Sequence, residues 1–371
     1  MSRVISKSIS PFKGGLSAKA VCILSAAFAA VLLAGCTPRV ATSFWRIGTP
    51  ADTLKPGSTV IRAEGKTRHC YPVTEWTDGP ETDTYHPLHH HGVAVESELM
   101  AYRIYFDKKQ TIDPYCKRKP QLELGESYWY PNDSLLAAHY GDDILRVSGT
   151  VGVGSVKYWD GKLHHIEEVG ERQQLIVRKG RNKATIAVRD IDWTVPDGKQ
   201  DRSETRHVVN LDVRYTMRAG HRDMRCDVFC SDTIQGLCTG VQFIPKNLKD
   251  PKDLKDFISI RLPNGVLLAS WGTDWPVNDT VKYAKETVGL GVFIPNAYAG
   301  ELVHDKHNNL CLLKMKEIKG NKAKGLYGKY GIPTTCHFYL TTVGATKEDH
   351  PVATTAGEWY AYLRKWAKGL K

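Results

Sequence analysis

The 371-residue chain sets 51 lysines and arginines against 40 aspartates and glutamates, a formal net charge of +11, with 42% hydrophobic and 9% aromatic residues. A basic balance favours acidic partners, whether uronate-rich glycans, nucleic acid or anionic lipid headgroups. None of the helix-turn-helix, zinc-finger or stacked-aromatic signatures of a nucleic-acid binder is present, so nucleic acid is set aside as a partner.

Residues 1–35 read as a targeting signal. A basic stretch with Arg3, Lys7, Lys13 and Lys19 leads into an apolar run from Ala20 to Ala34, which is short for a membrane span. The run ends in Leu33-Ala34-Gly35-Cys36, which resembles a bacterial lipobox. That resemblance implies cleavage before Cys36 and lipidation of Cys36, and acyl chains would hold the protein on a membrane without a spanning helix. Thr37-Pro38-Arg39 carries no acidic run behind the cysteine, so the expected location is the cell envelope, on the periplasmic face. Four basic residues and no acidic one leave with the signal, and the net charge falls from +11 to +7.

Residues 36–58 have turn formers and no sustained period and read as a tether; residues 59–371 read as a single domain. Nine cysteines become seven without Cys22 and Cys36: Cys70, Cys116, Cys226, Cys230, Cys238, Cys311 and Cys336. An oxidising compartment permits disulfides, and an odd count leaves one thiol over. If Cys226 and Cys230 share an extended strand, their Cα atoms sit about 13 Å apart, beyond the roughly 7 Å reach of a disulfide.

The densest stretch runs from His86 to Lys117. Alternation in Met100–Asp107 puts Met100, Tyr102, Ile104 and Phe106 on one face and Ala101, Arg103, Tyr105 and Asp107 on the other, the mark of a half-buried strand. The polar face is either the solvated side of a sheet or a site. Density favours the site, because His89, His90, His91, Glu96, Glu98, Tyr115 and Lys117 lie close by.

Beyond it, apolar runs come in short pieces divided by Gly, Pro, Asn and Asp: 144–147, 174–178, 184–188, 208–215, 258–262, 266–271, 288–294, 311–315 and 336–342. Asp160-Gly161 and Asn264-Gly265 are hairpin signals. Gly149-Thr-Val-Gly152-Val-Gly154 lacks the following helix that a phosphate loop needs, so these glycines are read as close packing or a bulge. Trp359, Tyr362, Leu363, Trp366 and Leu370 recur at helical spacing, which predicts an amphipathic helix from near Thr355 that docks on a sheet or lies on a membrane. The expected fold is mainly β, one large antiparallel β-sandwich with a C-terminal amphipathic helix.

The phrases HGVAVESELMAYRIYFDKKQTID, LELGESYWYPND, YGDDILRVSGTVGVGSVKYWDGK and GLGVFIP resemble a bacterial domain-of-unknown-function family, number 4861, of secreted proteins. The similarity spans most of the chain after about Glu75. It implies a galactose-mutarotase-like supersandwich and, because members sit beside polysaccharide-degrading enzymes, a role in polysaccharide utilisation. The family has Tyr-Gly-Lys where this chain has Tyr115-Cys116-Lys117.

Three functions are compatible with these residues. In β-elimination on a uronate-containing glycan, Arg103 would neutralise the substrate carboxylate, with His91, Tyr115 or Lys117 as base or acid. In glycoside hydrolysis, Glu98 would pair with Asp142, Asp143 or Asp274. In a non-catalytic glycan-binding lipoprotein, Trp129, Trp159, Trp271 and Trp275 would stack on sugars while Asp274 and Asn278 bond hydroxyls. The expected catalytic set is His91, Glu98, Arg103, Tyr115 and Lys117, and the expected substrate-binding set is His89, Tyr105, Trp271, Asp274 and Trp275. A divalent metal on His89, His91 and Glu96 is a further possibility, although no HExxH helix or aspartate-rich calcium loop accompanies it.

Overall fold

The structure, a computed structural model, describes residues 39–43, 59–64, 67–72, 88–127, 129–197, 207–244, 257–319 and 333–370, with the backbone alone for 59–64 and 67–72. The signal segment, Cys36 and the side chain of Cys70 therefore lie outside what is described below. In chain order the strands are β1 (Val40–Ser43), β2 (Thr59–Glu64), β3 (Thr67–Pro72), β4 (Gly92–Ser97), β5 (Ala101–Tyr105), β6 (Ile112–Cys116), β7 (Asp142–Asp143), β8 (Lys157–Trp159), β9 (Leu163–His164), β10 (Glu171–Arg178) and β11 (Lys183–Thr194). There follow β12 (Val208–Arg218), β13 (Met224–Cys230), β14 (Leu237–Gln242), β15 (Phe257–Leu262), β16 (Gly265–Asp274), β17 (Glu286–Pro295), β18 (Ala299–His304), β19 (Asn308–Leu313), β20 (Lys316–Glu317) and β21 (Thr334–Gly344). The helices are α1 (Asp133–Ala137) and α2 (Ala356–Lys368).

The strands form three antiparallel sheets. The largest runs β15-β16-β17-β21-β13-β12-β11-β10-β2-β3, with β20 beside β21; the two smaller ones run β1-β4-β5-β6-β7 and β18-β19-β14-β8-β9. β4 lies against β10, β11 and β12, and β14 lies against β16 and β17, so both small sheets cover one face of the large sheet. A single core fills the layer between them. Val93, Val95 and Ile104 reach it from the first small sheet, Leu237 and Cys311 from the second, and Val213, Val228, Leu268 and Phe338 from the large one. Strand β13 alternates buried and half-buried along its whole length, the pattern of a sheet with one face inward and one outward.

Helix α2 covers part of the outer face. Thr355 caps it by accepting from the Glu358 backbone N–H at 3.3 Å, and the Glu358 carboxylate answers by accepting from Thr354 N at 2.8 Å. Trp359, Leu363 and Ala367 pack on Leu267, Ala269, Trp271 and Phe293. The helix thus uses its apolar stripe on the sheet, the docking that its spacing predicts.

Several expectations need correction. Val40–Ser43, within the stretch read as a tether, is the edge strand β1 and pairs Val40–Ser43 with Ala94–Ser97. Residues 144–147 do not form a strand: the chain leaves β7 at Asp143, whose Oδ1 accepts from Leu145 N at 3.2 Å. The β15–β16 hairpin turns on Pro263-Asn264, with Gly265 already paired to Leu262. Cys226 and Cys230 share β13, and all six described cysteines from Cys116 to Cys336 are buried free thiols. The glycines at 152 and 154 have positive φ, and a Cβ at Gly152 would sit 2.7 Å from the Ile112 carbonyl, so they serve close packing.

Candidate functional site

The site is built on the outward face of β4–β7. Register sets Ala94 opposite Arg103 and Arg103 opposite Asp113, then Ala101 opposite Tyr115 and Tyr115 opposite Asp143. Since alternate residues share a face, Glu96, Arg103, Tyr105, Asp113, Tyr115 and Asp143 all emerge on the same side. The segment after Lys117 folds back over them, with Leu124 packed on Ala94, Ala101 and Tyr115.

Beneath that cover lie two ionic clusters. In the first, Lys117 Nζ pairs with Glu96 and donates to the Gln121 carbonyl at 2.7 Å, while the Glu96 carboxylate also accepts from Glu123 N at 2.8 Å and Leu124 N at 3.0 Å. Glu123 in turn accepts from Gly141 N at 2.9 Å, and burial raises its carboxyl above the usual range. In the second, Arg103 Nη2 donates to Asp113 at 2.6 Å and to Asp143 at 2.8 Å, and Nη1 donates to the Trp129 carbonyl at 2.7 Å. The Tyr105 hydroxyl donates to the same Asp113 oxygen at 2.6 Å. Burial first, and then the Asp113 charge, push the Asp143 carboxyl well above its ordinary value against the pull of Arg103.

Aromatic rings make the rim. His91 stacks on Trp129 with centroids 4.3 Å apart and meets Tyr105 edge-on at 5.7 Å. Tyr130 is 37% exposed and stands 5.8 Å from Tyr283. The turn that aims His91 is strained, because His90 and His91 have φ of 57° and 60°, a left-handed conformation that residues other than glycine seldom adopt. His89 and His90 anchor it: His89 Nδ1 lies 3.0 Å from Ser43 Oγ, and His90 Nε2 donates to the Leu124 carbonyl at 2.9 Å. Burial keeps both imidazoles neutral, lowering His89 to about 4.

A profile of the family described as Domain of unknown function (DUF4861) matches residues 53–371. The chain belongs to this family. The match takes in β2 to α2, and so the whole of the site except the edge strand β1. A search of curated proteins finds none that matches.

In this DUF4861 protein Arg103, Tyr105, Tyr115, Lys117 and the three histidines do share one face, but they reach different depths. Lys117 and Arg103 are buried, and the Tyr115 hydroxyl is committed to the Gly141 carbonyl at 2.9 Å, so these three build the floor; His91 and Tyr105 reach the rim. Glu98 stands apart, held by Arg39 and by Gly220 N at 3.1 Å; those bonds keep its carboxyl low although burial works the other way. Trp271 is a core residue beneath α2 and has no face to offer a sugar. Asp274 pairs with Arg146 at 3.1 Å, and Trp275 lies under Lys285, whose Nζ is 4.2 Å from its ring centre. The metal expectation meets a saturated ligand in Glu96, and no group of three or more His, Cys, Asp or Glu side chains suited to a cation occurs among the described residues.

Asp113 and Tyr130 are the residues that the sequence reading missed. Asp113 had a signal, since Asp113, Tyr115 and Lys117 continue the alternation of β5. Pro114 obscured it, because proline within a run argues against a strand; here it sits opposite Tyr102 in β6.

Proposed function

We propose that this protein is an envelope lipoprotein, anchored through Cys36, that hydrolyses a glycosidic bond in an acidic oligo- or polysaccharide. The observation that carries this reading is the pair Asp113 and Asp143, two carboxylates bonded to one guanidinium nitrogen yet set up for opposite roles. Asp143 tends to hold a proton, as a general acid must. Asp113 receives Arg103 and Tyr105 on one oxygen, an arrangement that suits an anion acting as nucleophile or base. Both oxygens lie within 2.8 Å of the same Nη2, which fits the short spacing of retaining glycosidases, about 5–5.5 Å, better than the roughly 6.5–9.5 Å of inverting ones. Trp129 and Tyr130 supply ring faces against which a sugar can stack.

Elimination fits less well. Its cation would be Arg103, and the Nη1 and Nη2 donors of that guanidinium are already spent on Asp113, Asp143 and the Trp129 carbonyl. Non-catalytic binding is the second reading, favoured by burial: the Asp113 and Asp143 side chains are 0% and 4% exposed.

The test incubates the soluble mature protein, Cys36 replaced, with a panel of acidic polysaccharides while reducing ends and ultraviolet absorbance are followed together. New ends without absorbance, lost at least ~10²-fold in Asp143→Asn, are expected of hydrolysis. Ends with absorbance would mean elimination. Neither signal, with a glycan-induced rise in melting temperature that Trp129→Ala removes, would establish a binder.

A further inference from the structure

A cavity of about 260 Å³ lies where the chain leaves β9 and passes the end of β11. His164, His165, Glu167, Glu168, Trp193 and Thr194 line it, and none of them belongs to the face that carries Asp113 and Asp143. At this size it takes one small molecule, since sites for drug-sized ligands run to roughly 300–1,000 Å³. Strand β11 bends to make its wall. The pairing with β12 shifts register between Asp190 and Trp193, and Asp192 inside that bulge has a φ of 54°. Bulges re-aim side chains, and strain of this kind persists only where its surroundings enforce it. Here the surroundings are a buried network. Asp190 accepts from Arg172 Nε at 2.6 Å and from Gln110 Nε2 at 2.7 Å, while Arg172 also donates to the Asp107 carbonyl at 2.9 Å and to that of Ile166, the residue after His165. Arg172, Asp190 and Gln110 are all buried, so the segment that carries the two histidines is fixed from behind.

Behind His165 lies a cation. Lys157, fully buried in β8, pairs with no carboxylate among the described residues; its Nζ reaches the Lys109 carbonyl, Thr111 Oγ1 at 3.4 Å and His165 Nδ1 at 3.1 Å. An ammonium buried in this way is costly, and an apolar side chain would serve the sheet as well. Burial lowers Lys157 to about 7, and burial together with the Lys157 charge lowers His165 to about 3, so near pH 6 the lysine is charged and the imidazole neutral. An ammonium only donates. Nδ1 of His165 therefore accepts, and the ring proton sits on Nε2, which bonds to no other group among the described residues. The cavity thus combines a polarised N–H, the Thr194 hydroxyl, the apolar Leu163 and Pro196, and the carboxylates of Glu167 and Glu168, the former held by Lys108 at 3.3 Å. Those carboxylates oppose an anion, and the charge behind His165 opposes a cation. A neutral polyol can use donors and acceptors together.

We infer that this cavity binds a single neutral sugar residue, one hydroxyl oxygen of which accepts from His165 Nε2–H, and that Lys157 is the positioning residue that holds the imidazole in that tautomer. The inference does not require Asp143 to act in hydrolysis.

The test titrates the full-length protein, in a detergent without a sugar head group and at about pH 6, with the methyl glycosides of glucose, galactose and mannose, and with glucuronate and glucosamine as the acidic and basic comparisons, by ligand-observed NMR. The expected result is binding of at least one methyl glycoside at least tenfold tighter than of glucuronate or glucosamine. His165→Phe weakens it about tenfold, whereas His165→Gln, whose amide N–H can stand in for the ring donor, weakens it less. Lys157→Met weakens it severalfold and moves the nitrogen resonances of His165 from the Nε2–H form towards a mixture of tautomers, a change that a merely structural lysine would not produce. Thr194→Trp fills the space and abolishes binding, which decides the matter should His165→Phe fail to fold. In Asp143→Asn and Trp129→Ala the affinity is unchanged, so a failed hydrolysis reading leaves this result standing. Three outcomes overturn the inference: no binding of any methyl glycoside, tighter binding of glucuronate or glucosamine, or glycoside binding that survives Thr194→Trp but is lost in Trp129→Ala.

Discussion

Lys117 and Glu96 satisfy one another, and that is why a cluster so conspicuous in the sequence proves only partly available to a ligand. A buried lysine without its carboxylate would leave an uncompensated charge, a loss of about 3–5 kcal/mol, so the pair demands burial together. Alternation within residues 100–107 made the shared face legible. Depth was not legible, because it depends on the segment around Leu124 that folds over the strand from elsewhere in the chain. Buried imidazoles give a prediction at this scale. Burial lowers His89 from 6.5 to about 4 and His165 from 6.5 to about 3, the latter helped by the neighbouring Lys157 charge. With folded values below the free value, the unfolded chain takes up these protons first. Stability from them is therefore complete above pH 6.5 and drains away as the pH falls towards 4 and then 3, by at most about 1.4 kcal/mol per unit for each group. Melting temperatures measured from pH 7 down to pH 4 should fall steeply, and His165→Gln should flatten the fall; an equal slope in the variant would contradict the assignment.

Among the elements, α2 was the most legible and β1 and β7 the least. Thirteen residues of helix repeat the apolar spacing several times and begin at a capping box, whereas strands of four and two residues are too short to show a period. The helix docks where the sheet has no side chains: a Cβ at Gly289 would lie 2.8 Å from the Trp359 ring, and one at Gly291 would lie 2.5 Å from Leu363. Gly291→Ala is accordingly expected to cost about 1–3 kcal/mol by overpacking, and Thr355→Ala about 1 kcal/mol by loss of the cap. Urea denaturation monitored by tryptophan fluorescence would read both; a Gly291→Ala protein as stable as the parent would show that α2 is not seated on the glycines. A comparable fit explains Tyr115-Cys116-Lys117. The Cys116 sulfur fills the space beside Gly344, 2.6 Å from where a Cβ there would be, so a cysteine inside β6 packs against a glycine at the end of β21.

At the scale of the molecule, the predominance of short antiparallel strands could be read from apolar runs divided by turn residues, but the number of strands and sheet membership could not. Pairing is set by contacts between strands far apart in the chain, and nothing local told β21 that its neighbours are β13 and β17. That placement has a consequence for how the protein comes into being. The strand made last is the one that joins the two halves of the large sheet, so a chain emerging from its N-terminus stays in two unjoined pieces until nearly all of it has been delivered. Until then β13 and β17 each present a bare edge, the kind of surface on which strands of other molecules add. Closing such long-range pairings is slow. A chain ending before Thr334 should accordingly be recovered as aggregate, whereas one lacking only the residues after Gly344 should retain strand signal by circular dichroism; a soluble, monomeric shorter product would disprove this order of assembly. Synthesis in the cell therefore has to guard an incomplete sheet until Thr334–Gly344 has been delivered, and a stop before Thr334 would be as damaging as a much earlier one.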